Sequence, residues 1–158
     1  MKGNEKVIER LNMALNAELT AIVQYMVHGE MQQNWGYNRL GQFIKKQAID
    51  EMRHAESLIE RILFLDGAPR VNLQLSPQVA QTVKAQLESD LAAEREAVAT
   101  YNASVAVCEQ AGDNGSRALF EKMVKDEEAH TDWLESQMHV IGEAGYDNYL
   151  SEQMHADK

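Results

Sequence analysis

The sequences DEMRH at residues 50–54 and DEEAH at residues 126–130 share the pattern D-E-x-x-H. Residues three apart lie on the same side of an α-helix, so each stretch presents a glutamate and a histidine together. A shift of 76 residues maps one stretch onto the other, and it also maps Glu18 onto Glu94 and Tyr25 onto Tyr101 (94 − 18, 101 − 25). The sequence therefore predicts a duplicated helical hairpin, whose two halves each supply two glutamates and one histidine.

Apolar residues recur at steps of three and four around both motifs, which predicts amphipathic helices. Leu58 follows the first motif and Leu134 follows the second, each on the face that carries the histidine. The sequence has no sustained alternation of Val, Ile and Thr, which would have indicated strands. We therefore predict an all-α protein, in which six ionisable side chains lie at mid-helix on buried faces: Glu18, Glu51, His54, Glu94, Glu127 and His130.

Turn-forming residues divide the chain into four long helices, with breaks predicted at 34–38, 66–69 and 111–116. The fourth helix is predicted to end within 142–145, and a short fifth helix to cover 146–154. Ser76 and Pro77 resemble the N-cap and the first residue of the third helix. The preceding connection is the longest, and one long crossover is typical of ferritin-like bundles. We therefore predict a ferritin-like four-helix bundle with one long crossover and a short C-terminal helix, formed by residues 1–158 as a single domain.

Composition and charge narrow the range of partners. The chain has 158 residues, enough for one domain with a real core, and a formal net charge of −10. That charge argues against nucleic acid, because phosphate binding needs a basic surface. The single cysteine, Cys108, suits a reducing cytoplasm, and the polar start lacks the apolar segment of a signal peptide. No apolar run approaches the roughly 20 residues that span a bilayer, so we expect a cytoplasmic protein with no membrane partner.

The predicted burial of four glutamates has a chemical consequence. Moving one isolated carboxylate into an apolar interior carries an idealised cost of roughly 20 kcal/mol, and lysine and arginine are missing from these positions. Shared protons or metal ions remain as partners, and two divalent cations would balance the charge of four carboxylates. Oxygen-rich ligation with two imidazoles suits iron or manganese better than a closed structural zinc site. The set also matches the known ligand pattern of di-iron helical bundles.

The aspartates at the start of both motifs have a possible supporting role. A metal-ligating histidine usually donates its second N–H to a carboxylate. Asp126 is placed to orient His54 on the facing helix, and Asp50 to orient His130. Both aspartates could instead be solvated or helix-capping groups.

The sequence resembles a bacterioferritin, a haem-binding ferritin, over nearly its whole length. The resemblance includes residues 1–3, 16–19, 34–36, 49–56, 59–67, 126–130, 132–135 and 148–150. The opening MKG and the block IERILFLDG at 59–67 are more specific than the Glu-x-x-His pairs, which fit many di-iron proteins. The resemblance implies iron storage and detoxification in a hollow, symmetric shell of about 24 subunits.

The resemblance also implies a ferroxidase centre, in which two iron ions per subunit bind and are oxidised by dioxygen or hydrogen peroxide. Glu51 and Glu127 would bridge the irons, Glu18 and Glu94 would be terminal ligands, and Tyr25 would lie beside the site. His54 and His130 would complete the set of ligands.

A haem b shared between two subunits through Met52 is implied as well. Met52 lies on a second apolar stripe of its helix, with Ile49, Ile59 and Leu63, and such a stripe is compatible with an interface. Ordinary packing is the other reading of Met52, because methionine readily fills irregular gaps.

Further positions and partners follow only from the resemblance. Asn34, Asp66 and Asp132 could line an access pore or could be plain surface residues. Lys45 and Lys46 stand where related proteins often have aromatic and histidine residues, so internal iron or electron transfer could differ here. The shell could contain this subunit alone or a second type, and a small ferredoxin is the expected electron donor for iron release.

Other classes of protein share parts of this pattern. A peroxide-scavenging rubrerythrin usually adds a Cys-x-x-Cys module, whereas this chain has one cysteine. Manganese catalases are generally longer, and miniferritins take their iron ligands from two subunits, which leaves the internal duplication unexplained. A metal-free structural bundle would have to bury the charged cluster without a cationic partner.

Overall fold

The computed structural model describes residues 1–71 and 75–155, and within them it contains five α-helices and no strand. Helices α1 (Glu5–Asn34) and α2 (Asn38–Phe64) form one hairpin. Helices α3 (Val83–Gln110) and α4 (Asn114–Ala144) form the other, and the short α5 (Tyr146–Glu152) packs against α4. The all-α, ferritin-like prediction is confirmed, including the long crossover and the fifth helix. Across the described ranges, no helix is long and apolar enough to cross a membrane.

Local capping explains several of the helix ends. Asn4 Oδ1 accepts the backbone N–H of Lys6 at 2.9 Å and caps α1, and Asp113 Oδ1 accepts the N–H of Ser116 at 2.9 Å and caps α4. Gly145, with φ of 89°, ends α4 and leads into α5, a conformation that only glycine adopts readily. These caps agree with the predicted breaks, although α4 begins at Asn114, inside the break that the sequence predicted.

The predicted start of the third helix at Ser76 and Pro77 is wrong. Helix α3 begins at Val83, where Thr82 Oγ1 accepts the N–H of Ala85 at 3.2 Å. The described residues just before it, 75–82, are not helical, and the backbone amides of Gln78 and Ala80 donate to side chains of α1 instead. Tertiary hydrogen bonds therefore outweigh a local proline signal, and the crossover extends from 65 to 82.

The opening residues pack against the end of α2. Gly3 N–H donates to the Leu65 carbonyl at 2.9 Å, and the N-terminal ammonium donates to the Phe64 carbonyl at 3.0 Å. A Cβ atom on Gly3 would lie 2.6 Å from Leu65 Cβ, so a larger residue would force the two segments apart. The two most specific blocks of the resemblance, residues 1–3 and 59–67, are thus in direct contact.

Two apolar clusters fill the bundle. The first includes Leu11, Leu58 and Phe120, and the second includes Leu87 and Leu134. Each long helix carries one or two of the six predicted ionisable residues. Along each helix they lie between its residues in the first cluster and its residues in the second cluster. The fold therefore holds the polar groups at mid-bundle, with packed apolar layers on both sides.

Candidate metal centre

The six ionisable side chains predicted from the sequence meet in the middle of the bundle. Each long helix contributes one glutamate, and α2 and α4 contribute one histidine each. All four glutamates are almost completely buried, with exposed fractions of 1–2%. The residues concerned are Glu18 on α1, Glu51 and His54 on α2, Glu94 on α3, and Glu127 and His130 on α4.

The cluster divides into two overlapping groups that could each hold a cation. Ligand atoms of Glu18, Glu51, His54 and Glu127 all lie within 4.8 Å of one another. The same holds for the second group, which is Glu51, Glu94, Glu127 and His130. Glu51 and Glu127 belong to both groups, so the geometry offers two adjacent cation positions that share two carboxylates.

Both imidazoles turn the same nitrogen toward the cluster. His54 Nδ1 lies 3.0 Å from Glu127 Oε1 and 3.3 Å from Glu51 Oε2. His130 Nδ1 lies 2.9 Å from Glu51 Oε1 and 3.5 Å from Glu94 Oε1. The two histidines therefore occupy matching places, as the duplicated motif predicts.

The cluster has more buried lone pairs than hydrogen-bond donors. Among the residues that the structure describes, one oxygen of each glutamate is buried without a hydrogen-bond partner, and so is His130 Nδ1. Buried polar atoms are normally paired, so such a concentration needs an explanation. Cations bound between these atoms would pair them, and an oxygen-rich set with two imidazoles fits iron or manganese.

Burial and mutual contacts shift the pKa values in the cluster. Burial raises the pKa of Glu51 and of Glu94 well above the usual range, and repulsion from Glu18 adds to this at Glu51. Burial lowers the pKa of His130, but the nearby carboxylates of Glu127, Glu51 and Glu94 outweigh this effect and raise that pKa to about 12. The pKa of His54 is raised in the same way, against burial, by Glu127 and Glu18. Without bound cations, the cluster therefore retains protons at neutral pH.

Two buried tyrosines are hydrogen-bonded to the cluster. Tyr25 Oη donates to Glu94, and Tyr101 Oη donates to Glu18 Oε1 at 2.7 Å. Burial raises the pKa of both phenols, with Glu94 and Glu18 adding to the effect, so both remain protonated donors. The sequence interpretation assigned a place to Tyr25 alone, although the shift of 76 residues pointed to Tyr101 as its equivalent.

The two aspartates of the motifs lie beside the outward nitrogens of the histidines, but at different distances. Asp126 Oδ2 lies 2.9 Å from His54 Nε2, and it also accepts Lys122 Nζ at 2.7 Å. Asp50 Oδ2 lies 4.0 Å from His130 Nε2, which is too far for a hydrogen bond. Only Asp126 is thus in direct contact with its predicted histidine.

Openings on two sides lead to the cluster. A groove of about 570 Å³ lies between α1 and α3, and its walls include small residues such as Ala17, Ala21 and Ala93. Its floor reaches Glu18 and Glu94. On the other side, a cavity of about 280 Å³ borders both histidines and is rimmed by charged side chains of α2 and α4. Small ions can therefore approach the cluster from either side.

Comparison with known proteins identifies the family. The model of the ferritin-like domain family, Ferritin, matches residues 8–143. A bacterioferritin of Mycobacterium leprae is 41% identical over 152 residues, which are 96% of this chain and 96% of that protein. A bacterioferritin of Brucella melitensis is 42% identical over 94% of this chain and 92% of its own length. A bacterioferritin of Rhodobacter capsulatus is 44% identical over 92% of this chain and 90% of its own length.

The chain belongs to the bacterioferritin family. This family membership, together with the buried Glu/His cluster, supports a function in iron storage. The bacterioferritin family also implies that the chain assembles into an oligomer. The match runs nearly from end to end, which favours bacterioferritin over the rubrerythrin-like, catalase-like and miniferritin alternatives.

An exposed apolar surface is the expected counterpart of bacterioferritin assembly. On α2, Ile49, Met52 and Leu63 are 49%, 47% and 56% exposed, and Met26 on α1 is 47% exposed. The spacing of Ile49, Met52 and Leu63 puts them on one side of α2, and exposed apolar side chains grouped in this way indicate an interface. We name this set (Met26, Ile49, Met52 and Leu63) the α1–α2 apolar face.

The remaining residues suggested by the bacterioferritin resemblance lie apart from the cluster. Asn34, Asp66 and Asp132 are exposed, and Asp66 Oδ2 pairs with the N-terminal ammonium at 3.2 Å. Lys45 Nζ donates to Glu30 and to Gln33 Oε1, and Lys46 is exposed. The two lysines are therefore separate from the six candidate ligands.

The structure contains a buried polar network on α1 and α3 that the sequence pattern does not predict. Asp90 Oδ1 accepts Gln24 Nε2 at 2.8 Å and lies 2.9 Å from His28 Nδ1. Gln24 Oε1 accepts the N–H of Gln78, and His28 Nε2 accepts the N–H of Ala80 at 3.1 Å. The sequence contains one indication of this network, the polar residues Gln24 and His28 spaced four apart on α1. The same spacing is typical of a solvent-exposed helix face, so it does not predict a buried network.

Proposed function

We propose that this chain is a ferroxidase subunit of an iron-storage shell, which binds two ferrous ions and oxidises them to ferric ions with dioxygen or hydrogen peroxide. The observation that carries the proposal is the pair of overlapping ligand groups that share Glu51 and Glu127. Two adjacent ions would each receive one further glutamate and one histidine, Glu18 with His54 and Glu94 with His130.

Iron is the substrate in this proposal, and the protein supplies binding and charge balance. Two ferrous ions carry the positive charge that neutralises four carboxylates, and they displace the protons held by the cluster. The two ions release two electrons, which with two protons reduce dioxygen to hydrogen peroxide or reduce hydrogen peroxide to two water molecules. The ions are held side by side, so both electrons reach one oxidant molecule.

Tyr25 and Asp126 have supporting roles in this proposal. The phenol of Tyr25 holds the Glu94 carboxylate, and the carboxylate of Asp126 orients the His54 ring from its outward nitrogen. Asp50 is proposed to act on His130 through its charge, because the distance of 4.0 Å is too long for a hydrogen bond. The groove between α1 and α3 is the route by which ferrous ions reach the cluster.

The assembly is proposed to be a closed shell of about 24 subunits. It is composed of this chain alone or mixed with a second type, and it stores ferric mineral inside. We further propose that the shell is cytoplasmic and that a small ferredoxin supplies the electrons that release stored iron.

Haem b is proposed to bind between two subunits through Met52. Met52 is 47% exposed within the α1–α2 apolar face, which fits a flat apolar group held between two copies. Thioether sulfur is an established axial ligand of haem iron. When bound, the haem supplies one-electron transfer between the outside and the stored mineral.

The test is an anaerobic Fe(II) titration of metal-free protein, followed by air, with absorbance recorded throughout. We expect saturation near two irons per chain and then a fast oxidation phase, both lost in Glu51→Ala and in His130→Ala. Glu56→Ala and His139→Ala are matched controls at exposed positions of the same helices, and they should behave like the parent protein. Absence of stoichiometric binding and of a fast phase in the parent protein would rule out the di-iron proposal.

A further inference from the structure

We propose that Tyr101 is a positioning residue of the metal centre, which holds Glu18 for the cation position that Glu18 shares with His54. This inference rests on the proposed di-iron function and adds a residue that makes the two half-sites equivalent. Tyr101 Oη donates to Glu18 Oε1 at 2.7 Å, and Tyr101 is 1% exposed.

The hydrogen bond occupies one oxygen of Glu18 and leaves the other for a cation. Glu18 Oε2 is buried and has no hydrogen-bond partner among the described residues. A buried glutamate can adopt several rotamers, and ordering its side chain has an entropic cost. A donor that fixes one oxygen removes most of that freedom before a cation arrives, so the second oxygen is already in place.

The ring of Tyr101 is itself well anchored. It belongs to the first apolar cluster and packs against Phe120 with a centroid distance of 5.9 Å and an angle of 44°. Because core packing fixes the ring, the hydroxyl of Tyr101 has less freedom to move than the hydroxyl of a tyrosine on the surface. The packed core of α3 and α4 therefore fixes Tyr101, and Tyr101 in turn fixes the carboxylate of Glu18.

The tyrosines form a reciprocal pair. Tyr25 on α1 donates to Glu94 on α3, and Tyr101 on α3 donates to Glu18 on α1. Both links join α1 to α3, and Glu18, Glu94 and Tyr101 line the groove between these helices. The duplication thus extends beyond the six candidate ligands to the groups that orient the two terminal carboxylates.

The test measures Co²⁺ binding, followed by its visible absorption, in variants that retain one half-site each. His130→Ala leaves the position formed with Glu18 and His54, and His54→Ala leaves the position formed with Glu94 and His130. We expect Tyr101→Phe to weaken Co²⁺ binding about tenfold in the His130→Ala background and by less than about twofold in the His54→Ala background. Tyr25→Phe should give the opposite pattern, because it holds Glu94.

Tyr149→Phe is the matched control, since Tyr149 is also buried and donates to a side chain, Gln137 Oε1 at 3.0 Å, away from the cluster. It should leave Co²⁺ binding unchanged in both backgrounds. Equal weakening by Tyr101→Phe in the two backgrounds, or no weakening in either, would overturn the positioning role while the di-iron proposal stands. If the parent protein fails to bind two Co²⁺ per chain, the di-iron proposal and the role of Tyr101 fail together.

Discussion

At the scale of single residues, the cluster shows how burial and charge prepare a protein for cations. Burial penalises charge, so Glu51 and Glu94 have raised pKa values and hold protons more tightly than usual. The same burial would deprotonate the histidines, but the surrounding glutamates reverse this effect at His54 and His130. Protons and metal ions therefore compete for one set of atoms.

We expect cation binding to release protons and to weaken as the pH falls. All four of these groups have pKa values raised above their ordinary ones, so each keeps its proton to a higher pH than usual, and a bound cation must displace these protons. Calorimetry with Zn²⁺, in buffers of differing protonation enthalpy, would count the protons released. An affinity that stays constant between mildly acidic and mildly alkaline pH would contradict this expectation.

At the scale of secondary-structure elements, the start of α4 depends on one aspartate. Asp113 caps the helix through Ser116, and its Oδ1 also accepts Arg61 Nη2 from α2 at 2.7 Å. Burial tends to raise the pKa of Asp113, but hydrogen bonds from Ser116 and Arg61 lower it overall. A lowered carboxylate pKa means that the ionised form stabilises the folded state.

Asp113→Asn should reduce the free energy of unfolding by about 1–2 kcal/mol at neutral pH, because asparagine still caps the helix but loses the charge that faces Arg61. The difference should be complete above the unfolded-state pKa of about 3.9 and disappear as the pH falls through the lower folded-state value. Thermal unfolding at matched protein concentration measures it, with the exposed Glu88→Gln as control. A difference that persists in strong acid would point to a lost cap instead.

The crossover is held by side chains of α1, and this is testable at the same scale. His28→Leu removes the acceptor of the Ala80 N–H and leaves the buried carboxylate of Asp90 with one partner fewer. We expect amide hydrogen exchange around residues 75–82 to accelerate about tenfold, which corresponds to roughly 1.4 kcal/mol of lost local stability. The exposed His139→Leu provides the control, and unchanged exchange in the crossover would show that its other contacts suffice.

At the scale of the whole molecule, the α1–α2 apolar face is the part of the isolated chain that is expected to be covered by another subunit. Its exposed side chains include Met26, Ile49 and Leu63, which would be costly to leave in water on a stable monomer. The bacterioferritin family implies assembly, and this face provides a surface for it.

Leu63→Arg and Met52→Leu should separate assembly from haem binding. Leu63→Arg places a charge in the apolar face, so we expect smaller species in size-exclusion chromatography. Met52→Leu retains the apolar surface and removes only the thioether, so the assembly should persist while the Soret band disappears. A full Soret band in Met52→Leu would assign the haem ligand to another residue, and an unchanged assembly in Leu63→Arg would exclude this face as the interface.

Most of the architecture can be predicted from the amino-acid sequence, because helix periodicity and burial are linked. Burial is periodic on a helix, so apolar steps of three and four identify the inward faces, and Leu58 and Leu134 are indeed buried. The same periodicity identified the six side chains that meet at mid-bundle. Four buried glutamates without lysine or arginine beside them need shared protons or metal ions as partners, so they were expected to lie together. Their roles as iron ligands remain a prediction that the Fe(II) titration tests.

Features that depend on contacts between distant segments could not be predicted before the helices were seen packed together. The start of α3 moved from Ser76 to Val83 because side chains of α1 bind the backbone of the crossover. The hydroxyl of Tyr101 contacts Glu18 across the bundle, and Asp50 and Asp126 lie at unequal distances from the histidines. Local sequence encodes helix faces and caps, whereas hydrogen bonds across the bundle depend on where the folded helices bring their side chains together.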